Sequence, residues 1–218
     1  RTLKEAMHSG QFGGPTPDAL AALIRMLASL HDDNGDIRVP GLPRGTFLGT
    51  GPSEEEFRKT AGVLDGVRLV GSGSLADRLW SSYAITVTGI DAPSVANAVN
   101  AVQPVARARV TVRVPPAGDP KTAVEDVIDH LRRVTPWGAK VVIDDVVLGS
   151  GFLAIPGGTA RGALNRAMER AYGRPPRDIG AGGSIPLVAM LARLFPVAEI
   201  LLFGAEDDGA SIHAPNER

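Results

Sequence analysis

The sequence contains no cysteine, which removes disulfide staples, thiolate nucleophiles and cysteine-based metal sites together. Any metal must therefore take nitrogen or oxygen ligands, and the chain offers only four histidines, His8, His31, His130 and His213. A hydrolytic metal centre gathers several His and carboxylate ligands at one point, so that supply is thin. An excess of one charge is also missing: 23 Lys and Arg face 24 Asp and Glu, a formal net charge of -1, with the basic residues scattered. That is not the electrostatic footprint of a nucleic-acid or anionic-lipid binder, and it favours a small molecule or a protein as partner. No apolar run approaches the ~20 residues of a membrane span, and the first residues lack the apolar core of a secretory signal. The expectation is a cytoplasmic protein without a membrane partner.

What the chain has in quantity is glycine and proline, 26 and 17 residues. Set against 44% hydrophobic and 22% charged residues, they indicate a folded protein with many turns rather than a disordered one. Thr2 to His8 reads as extended, and Gly10, Gly13, Gly14 and Pro15 as a turn. Thr16 as N-cap and Pro17 at the first helical position predict a helix through Leu20, Leu23, Ile24, Leu27 and Leu30. Residues 32 to 52 read as a long loop. Ser53 and Glu56 form a capping box opening a short helix that ends near Gly66. Glu54, Glu55 and Glu56 are then helix N-terminal acids rather than a metal cluster. A short helix is expected from Ser74 to Ser82 and a strand from Ala84 to Thr88.

Pro104 to Val114 alternates, with Val110, Val112 and Val114 on one face and Arg109, Thr111 and Arg113 on the other. Asp119 and Pro120 start a helix with an apolar stripe of Val124, Val127, Ile128 and Leu131, and Lys140 to Val147 reads as a returning strand. The order of elements predicts an α+β domain: an antiparallel, ferredoxin-like sheet with helices on one face and an edge open to a second copy. Gly149, Gly151, Pro156, Gly157 and Gly158 place a boundary near residue 150, giving domains 1–150 and 151–218. Beyond it come a helix through Ala160, Ala163, Leu164, Ala167, Met168 and Ala171, a second from Ser184 to Phe195, and a short buried strand from Glu199 to Phe203. This α/β piece of about 70 residues is small for an independent core. Arg1 reads as mid-strand and Arg218 follows directly on a polar motif, so the chain is expected to be a fragment.

His31 sits at a helix C-terminus and His130 off the apolar stripe of its helix, so both are expected to be solvated. His213 follows Glu206, Asp207, Asp208 and Gly209 in a polar stretch after the last strand, where α/β sheets bind ligands; a surface-loop histidine fits the same pattern. Gly182 and Gly183 before a helix expose backbone N–H groups able to hold a carboxylate or an oxyanion, although a plain tight turn would look alike.

Three segments in register, His8-Ser9-Gly10-Gln11-Phe12-Gly13-Gly14, Gly182-Gly183-Ser184-Ile185-Pro186 and His213-Ala214-Pro215-Asn216-Glu217, resemble the M20 metallopeptidases of the carnosinase-like dipeptidase group. The stretch from Asn100 through Arg113 to Asp119 also resembles that family's lid strand. The resemblance implies an α/β protein in two parts: a dimerisation (lid) domain, and the C-terminal portion of a zinc-peptidase catalytic domain. It implies a hydrolase that binds two divalent metals, usually zinc, and cleaves dipeptides or related amide bonds next to a free carboxylate. His213 would be a metal ligand, with Gly183 and Ser184 on the substrate carboxylate. His8 would reach across a homodimer to the scissile carbonyl or oxyanion, and Asn100 and Arg113 would contact the carboxylate end. The family's His-x-Asp motif, bridging Asp and Glu-Glu pair have no counterpart in this sequence, so the chain alone is expected to be inactive and not to retain metal. Gly180 stands where many relatives carry Arg, and Ala214 where Ser is usual. Two rival expectations are an N-acyl-amino-acid or succinyl-diamino-acid deacylase and a non-catalytic dimerisation module.

Overall fold

The computed structural model of the chain describes residues 1–154, 157–180 and 185–203. Elements form where the local chemistry closes their ends. Helix α2 (Ala19–Ala28) begins at Asp18, whose carboxylate accepts from the Ala21 N–H at 2.8 Å. The cap is therefore Asp18 and not Thr16. Helix α3 (Glu54–Ala61) opens with the reciprocal Ser53–Glu56 capping box and closes on Gly62 at φ 64°, earlier than the Gly66 the sequence suggested. Helix α4 (Pro120–Arg133) starts as expected, with Asp119 accepting from the Thr122 N–H and Pro120 in its first turn.

Among the described residues four strands pair as two small antiparallel sheets. The short strands β1 (Met7–His8) and β3 (Ala101–Val102) face each other, and the longer β2 (Ala84–Asp91) and β4 (Arg107–Arg113) run from Ala84 opposite Arg113 to Asp91 opposite Arg107, with a bulge between Val87 and Gly89. The architecture is mixed helix and antiparallel sheet, as the pattern implied, but the sheet is divided. Lys140 to Val147 is not a strand. Lys140 exchanges a backbone hydrogen-bond pair with Arg1 at 2.8 and 2.9 Å, and the run is then interrupted by Asp145 at φ 51°, outside the extended region.

The core lies between α2, α4 and one face of the β2–β4 pair. Met26, Leu30, Val39, Leu42, Ile85, Ala123, Val127 and Leu131 are buried together, and Val110, Val112 and Val114 pack against them as the alternation predicts. The helices α2 and α4 are also pinned by a polar contact: His130 Nε2 lies 3.0 Å from Ser29 Oγ and 3.2 Å from the Ser29 carbonyl. His130 is only 6% exposed. It shares the buried face with Ala123, Val127 and Leu131, so the solvated histidine expected there is instead a core residue. A carbonyl can only accept, so Nε2 carries the proton in that bond, and Nδ1 is left buried without a partner among the described residues.

The Gly10–Pro15 turn contains one helical turn, α1 (Ser9–Phe12). Ser74–Ser82 holds a π-helical turn at Asp77–Ser81 rather than an α-helix. In the C-terminal part, α5 (Thr159–Tyr172) and α6 (Pro186–Leu194) lie close to their predicted spans. Glu199 to Phe203 forms neither a strand nor a buried run, because no described segment pairs with it; Phe203 is 69% exposed. The Glu199 carboxylate instead caps α5, accepting from the Ala160 and Arg161 N–H groups at 3.2 and 2.9 Å. Among the described residues no helix is long and apolar enough to cross a membrane.

Candidate functional site

The β1–β3 pair places two of the sequence candidates side by side. His8 stands opposite Ala101, and the N–H of Ser9 donates to the carbonyl of Asn100 at 2.9 Å. Both His8 and Asn100 are solvent-exposed, as residues that meet a ligand or a second subunit must be. The imidazole leans over Gly10: a Cβ at that position would come within 2.9 Å of His8 Cε1. Glycine there gives the ring its resting place. The register of β3 is tied to the core through Asp18, whose second carboxylate oxygen accepts from the Gln103 N–H at 2.6 Å while the Ala19 N–H donates to the Gln103 carbonyl at 2.9 Å.

Arg113 ends β4, on the other sheet, and no described contact joins it to His8 or Asn100. Its guanidinium is half-buried, and burial pulls its pKa below the ordinary arginine value. One nitrogen donates to the carbonyl of Arg78 at 2.5 Å, and among the described residues no carboxylate pairs with it. A desolvated cation without an anion is costly, and a bidentate carboxylate is the ligand its planar fork fits best.

The carbonyl that holds Arg113 belongs to the π-helical turn, which sequence reasoning missed because such turns carry no capping signature and are read as short α-helices. Asp77 secures the turn, accepting from the Phe47 N–H at 2.7 Å and the Ser74 N–H at 3.0 Å; these bonds, the Phe47 one foremost, lower its pKa. Trp80 on the same turn meets Phe47 edge to face, with ring centroids 4.8 Å apart. Turns of this kind recur at functional sites.

Gly183, Ser184 and His213 lie outside the described residues. His31 takes part in an isolated bridge to Ile37, away from any cluster. Among the described residues no group of three or more His, Asp or Glu could hold a metal ion. That part of the chain therefore does not fit a resident metal by itself.

A family model for the peptidase dimerisation domain of M20 enzymes matches residues 2–139. The chain belongs to the M20 peptidase family. A cysteinylglycine-S-conjugate dipeptidase of Corynebacterium striatum is 38% identical over 220 residues, 99% of this M20 chain and 48% of the relative. The beta-Ala-His dipeptidase of Rattus norvegicus is 26% identical over 97% of this chain and 45% of its own length. The chain thus spans about half the length of the curated relatives it matches. Among solved structures, human carnosine dipeptidase 1 superposes with a TM-score of 0.69 at 23% identity, covering 89% of this chain and 44% of that one. The di-peptidase Dug1p of Saccharomyces cerevisiae gives 0.70 at 21%, covering 88% and 43%. Both show a shared fold.

Proposed function

We propose that this chain is the dimerisation domain and adjoining C-terminal part of an M20 dipeptidase, acting on dipeptides whose C-terminal carboxylate is free. Substrates of the cysteinylglycine type come first, because the observation that carries the proposal is the 38% identity to a cysteinylglycine-S-conjugate dipeptidase along 99% of the chain. The geometry of Arg113 agrees with it. A half-buried guanidinium with no described anion, oriented by the Arg78 carbonyl, suits the terminal carboxylate that distinguishes a dipeptide from an internal peptide bond.

In this proposal His8 and Asn100 act from one surface. The exposed imidazole beside Gly10 supplies an N–H to the scissile carbonyl oxygen, where negative charge grows during attack. Asn100, across the same strand pair, orients the substrate through its amide. Both would serve the site of a second copy, with the lid forming the homodimer; Gly183 and Ser184 would take the substrate carboxylate and His213 a metal. When bound, divalent metal ions, zinc in our proposal, would supply an activated water and a Lewis acid. The described residues do not assemble that centre by themselves.

The test is a substrate panel run on the full-length protein: cysteinylglycine and its S-conjugates, beta-Ala-His, N-acetyl and N-succinyl amino acids, each with and without a chelator. Hydrolysis of the dipeptides, abolished by chelation and absent for C-terminally amidated analogues, is expected. Preference for the acylated amino acids would identify a deacylase, and no hydrolysis at all would leave a dimerisation module.

A further inference from the structure

The turn that follows α2 carries the one Asn-Gly pair in the sequence. Asparagine occurs at positions 34, 97, 100, 165 and 216, and only Asn34 is followed by glycine. That pairing is chemically labile, because a glycine nitrogen reaches the side-chain carbonyl of the preceding asparagine with no Cβ in the way. The fold does not allow a less reactive neighbour. Gly35 stands at φ 85°, and a Cβ there would come 2.6 Å from Val70 Cβ. Any other residue would be strained at that φ and would strike the segment packed against the turn.

Both reacting groups are engaged. The Gly35 N–H donates to the Asp32 carbonyl at 2.9 Å. The Asn34 side-chain amide donates to Asp36 Oδ2 at 3.0 Å and to Ser72 Oγ at 2.9 Å. Ser72 closes the network, its hydroxyl donating to Asp36 Oδ2 at 2.6 Å and its N–H to Asp36 Oδ1 at 2.9 Å. These bonds, the Ser72 hydroxyl foremost, bring the Asp36 pKa down to about 2, so that carboxylate is charged at any pH where the amide reacts. The Asn34 carbonyl also accepts from the Gly71 N–H at 2.7 Å. Residues 70–72 therefore lean on the turn through Asn34 and Asp36, with Arg78 Nη1 on the Val70 carbonyl at 2.8 Å as a further hold.

We propose that Asn34-Gly35 is a deamidation site that Ser72 and Asp36 hold closed in the folded protein, and that its conversion loosens residues 70–72 from the turn. When the Gly35 N–H leaves Asp32 and gives its proton to a solvent base, the nitrogen attacks Asn34 Cγ. The N–Cγ bond forms, the Cγ–Nδ2 bond breaks, and Nδ2 departs as ammonia, leaving a cyclic imide. Water then opens the ring, at Cγ to give aspartate or at the backbone carbonyl to give isoaspartate. One amide and one water become one carboxylic acid and one ammonia, with nothing oxidised or reduced. Aspartate places a second carboxylate where the amide donor faced Asp36. Isoaspartate reroutes the main chain through Cγ, away from the carbonyl that holds Gly71. Either product breaks the junction.

The test follows the full-length protein in mildly alkaline buffer, folded and in urea, by peptide-resolved mass spectrometry of the amide-to-acid gain at Asn34. The folded rate should be at least about tenfold below the unfolded one, because the hydrogen bonds must open before attack. Ser72→Ala, its folding checked by circular dichroism, should raise the folded rate at least about threefold. Asn34→Asp, made directly, isolates the consequence: amide exchange at Gly71 and Ser72 should quicken at least about threefold, while exchange at Ala123 and Val127 of α4 stays at the wild-type level. Equal rates in folded and unfolded protein, or a Ser72→Ala rate equal to wild type, would overturn the closed site. Unchanged exchange at Gly71 and Ser72 in Asn34→Asp would overturn the loosening. If Ser72→Ala does not fold, the folded-to-unfolded ratio of the wild type and the exchange of Asn34→Asp still decide. None of these readings depends on dipeptide cleavage, so they stand apart from the proposed function.

Discussion

Replacing Asp18 should loosen the helix start and the strand pair that carries His8 in a single step. Both of its carboxylate oxygens are in use, one on the Ala21 N–H at 2.8 Å and the other on the Gln103 N–H at 2.6 Å. In Asp18→Ala the lost N-cap costs about 1 kcal/mol. The half-buried Gln103 N–H, left without an acceptor, adds about 1–3 kcal/mol. The expected loss is therefore about 2–4 kcal/mol, or a melting temperature lower by roughly 4–16 °C for a chain of this size. Asp18→Asn separates the two terms: its one remaining carbonyl oxygen can cap Ala21, while its NH2 meets the Gln103 N–H donor to donor. Urea unfolding of wild type and both variants reads the difference. Hydrogen exchange should show faster opening at Ala101 and Val102 in both variants, since Gln103 adjoins β3. A loss below about 0.5 kcal/mol in Asp18→Ala, within the range of an ordinary surface change, would refute the claim that this carboxylate bridges α2 and β3.

Leu30→Ala should be among the most damaging truncations, because Leu30 is 0% exposed in the core cluster; about 3–5 kcal/mol is expected in the same unfolding assay. His130 should make stability fall in mild acid: burial, reinforced by Arg133 and Arg38 and opposed by the bond to Ser29, lowers its folded pKa below 6.5. The unfolded chain then takes up the proton first, so this contribution is full above the unfolded value and is lost as pH falls through the folded one. Unfolding midpoints between pH 7.5 and 5 should decline less in His130→Gln than in wild type, and equal slopes would count against it. Gly41→Ala should be strongly destabilising, since φ is +89° and the new Cβ would overlap the Asp126 carboxylate; if the overlap matters beyond the backbone strain, Asp126→Ala should recover part of the loss in a thermal melt.

What was legible in the sequence was decided by neighbours in sequence. The capping box at Ser53 and Glu56, the Asp119-Pro120 start of α4 and the alternation that sends Val110, Val112 and Val114 to the core each need only a few adjacent residues. The misreadings turned on distant partners. Thr16 and Asp18 are both good caps, and a hydrogen bond to Gln103, 85 residues away, accompanies the choice of Asp18. His130 lies off a stripe drawn through Ile128, but α4 meets α2 along Ala123, Val127, His130 and Leu131, where Ser29 supplies the imidazole with a partner. Lys140 to Val147 has strand-like residues, yet a strand exists only where another lies beside it, and past Lys140 none of the described segments does.

The candidate site shows the same division. His8 and Asn100 were named from motifs, and the β1–β3 register brings them together. The turn that holds Arg113 had no local signature, because the bond joins residues 35 positions apart in sequence.

The most direct test of the account is subunit complementation in the full-length enzyme. His8→Ala and His213→Ala are purified as separate proteins, each expected to be nearly inactive, then mixed under conditions that exchange subunits and assayed on a dipeptide. If His8 serves the partner's site, half of the redistributed molecules are mixed dimers, each with one of its two sites intact, and activity should return to about a quarter of wild type. Mixed dimers that form, as shown by differently tagged subunits purifying together, but recover no activity would contradict the claim that this domain completes the active site of a second copy.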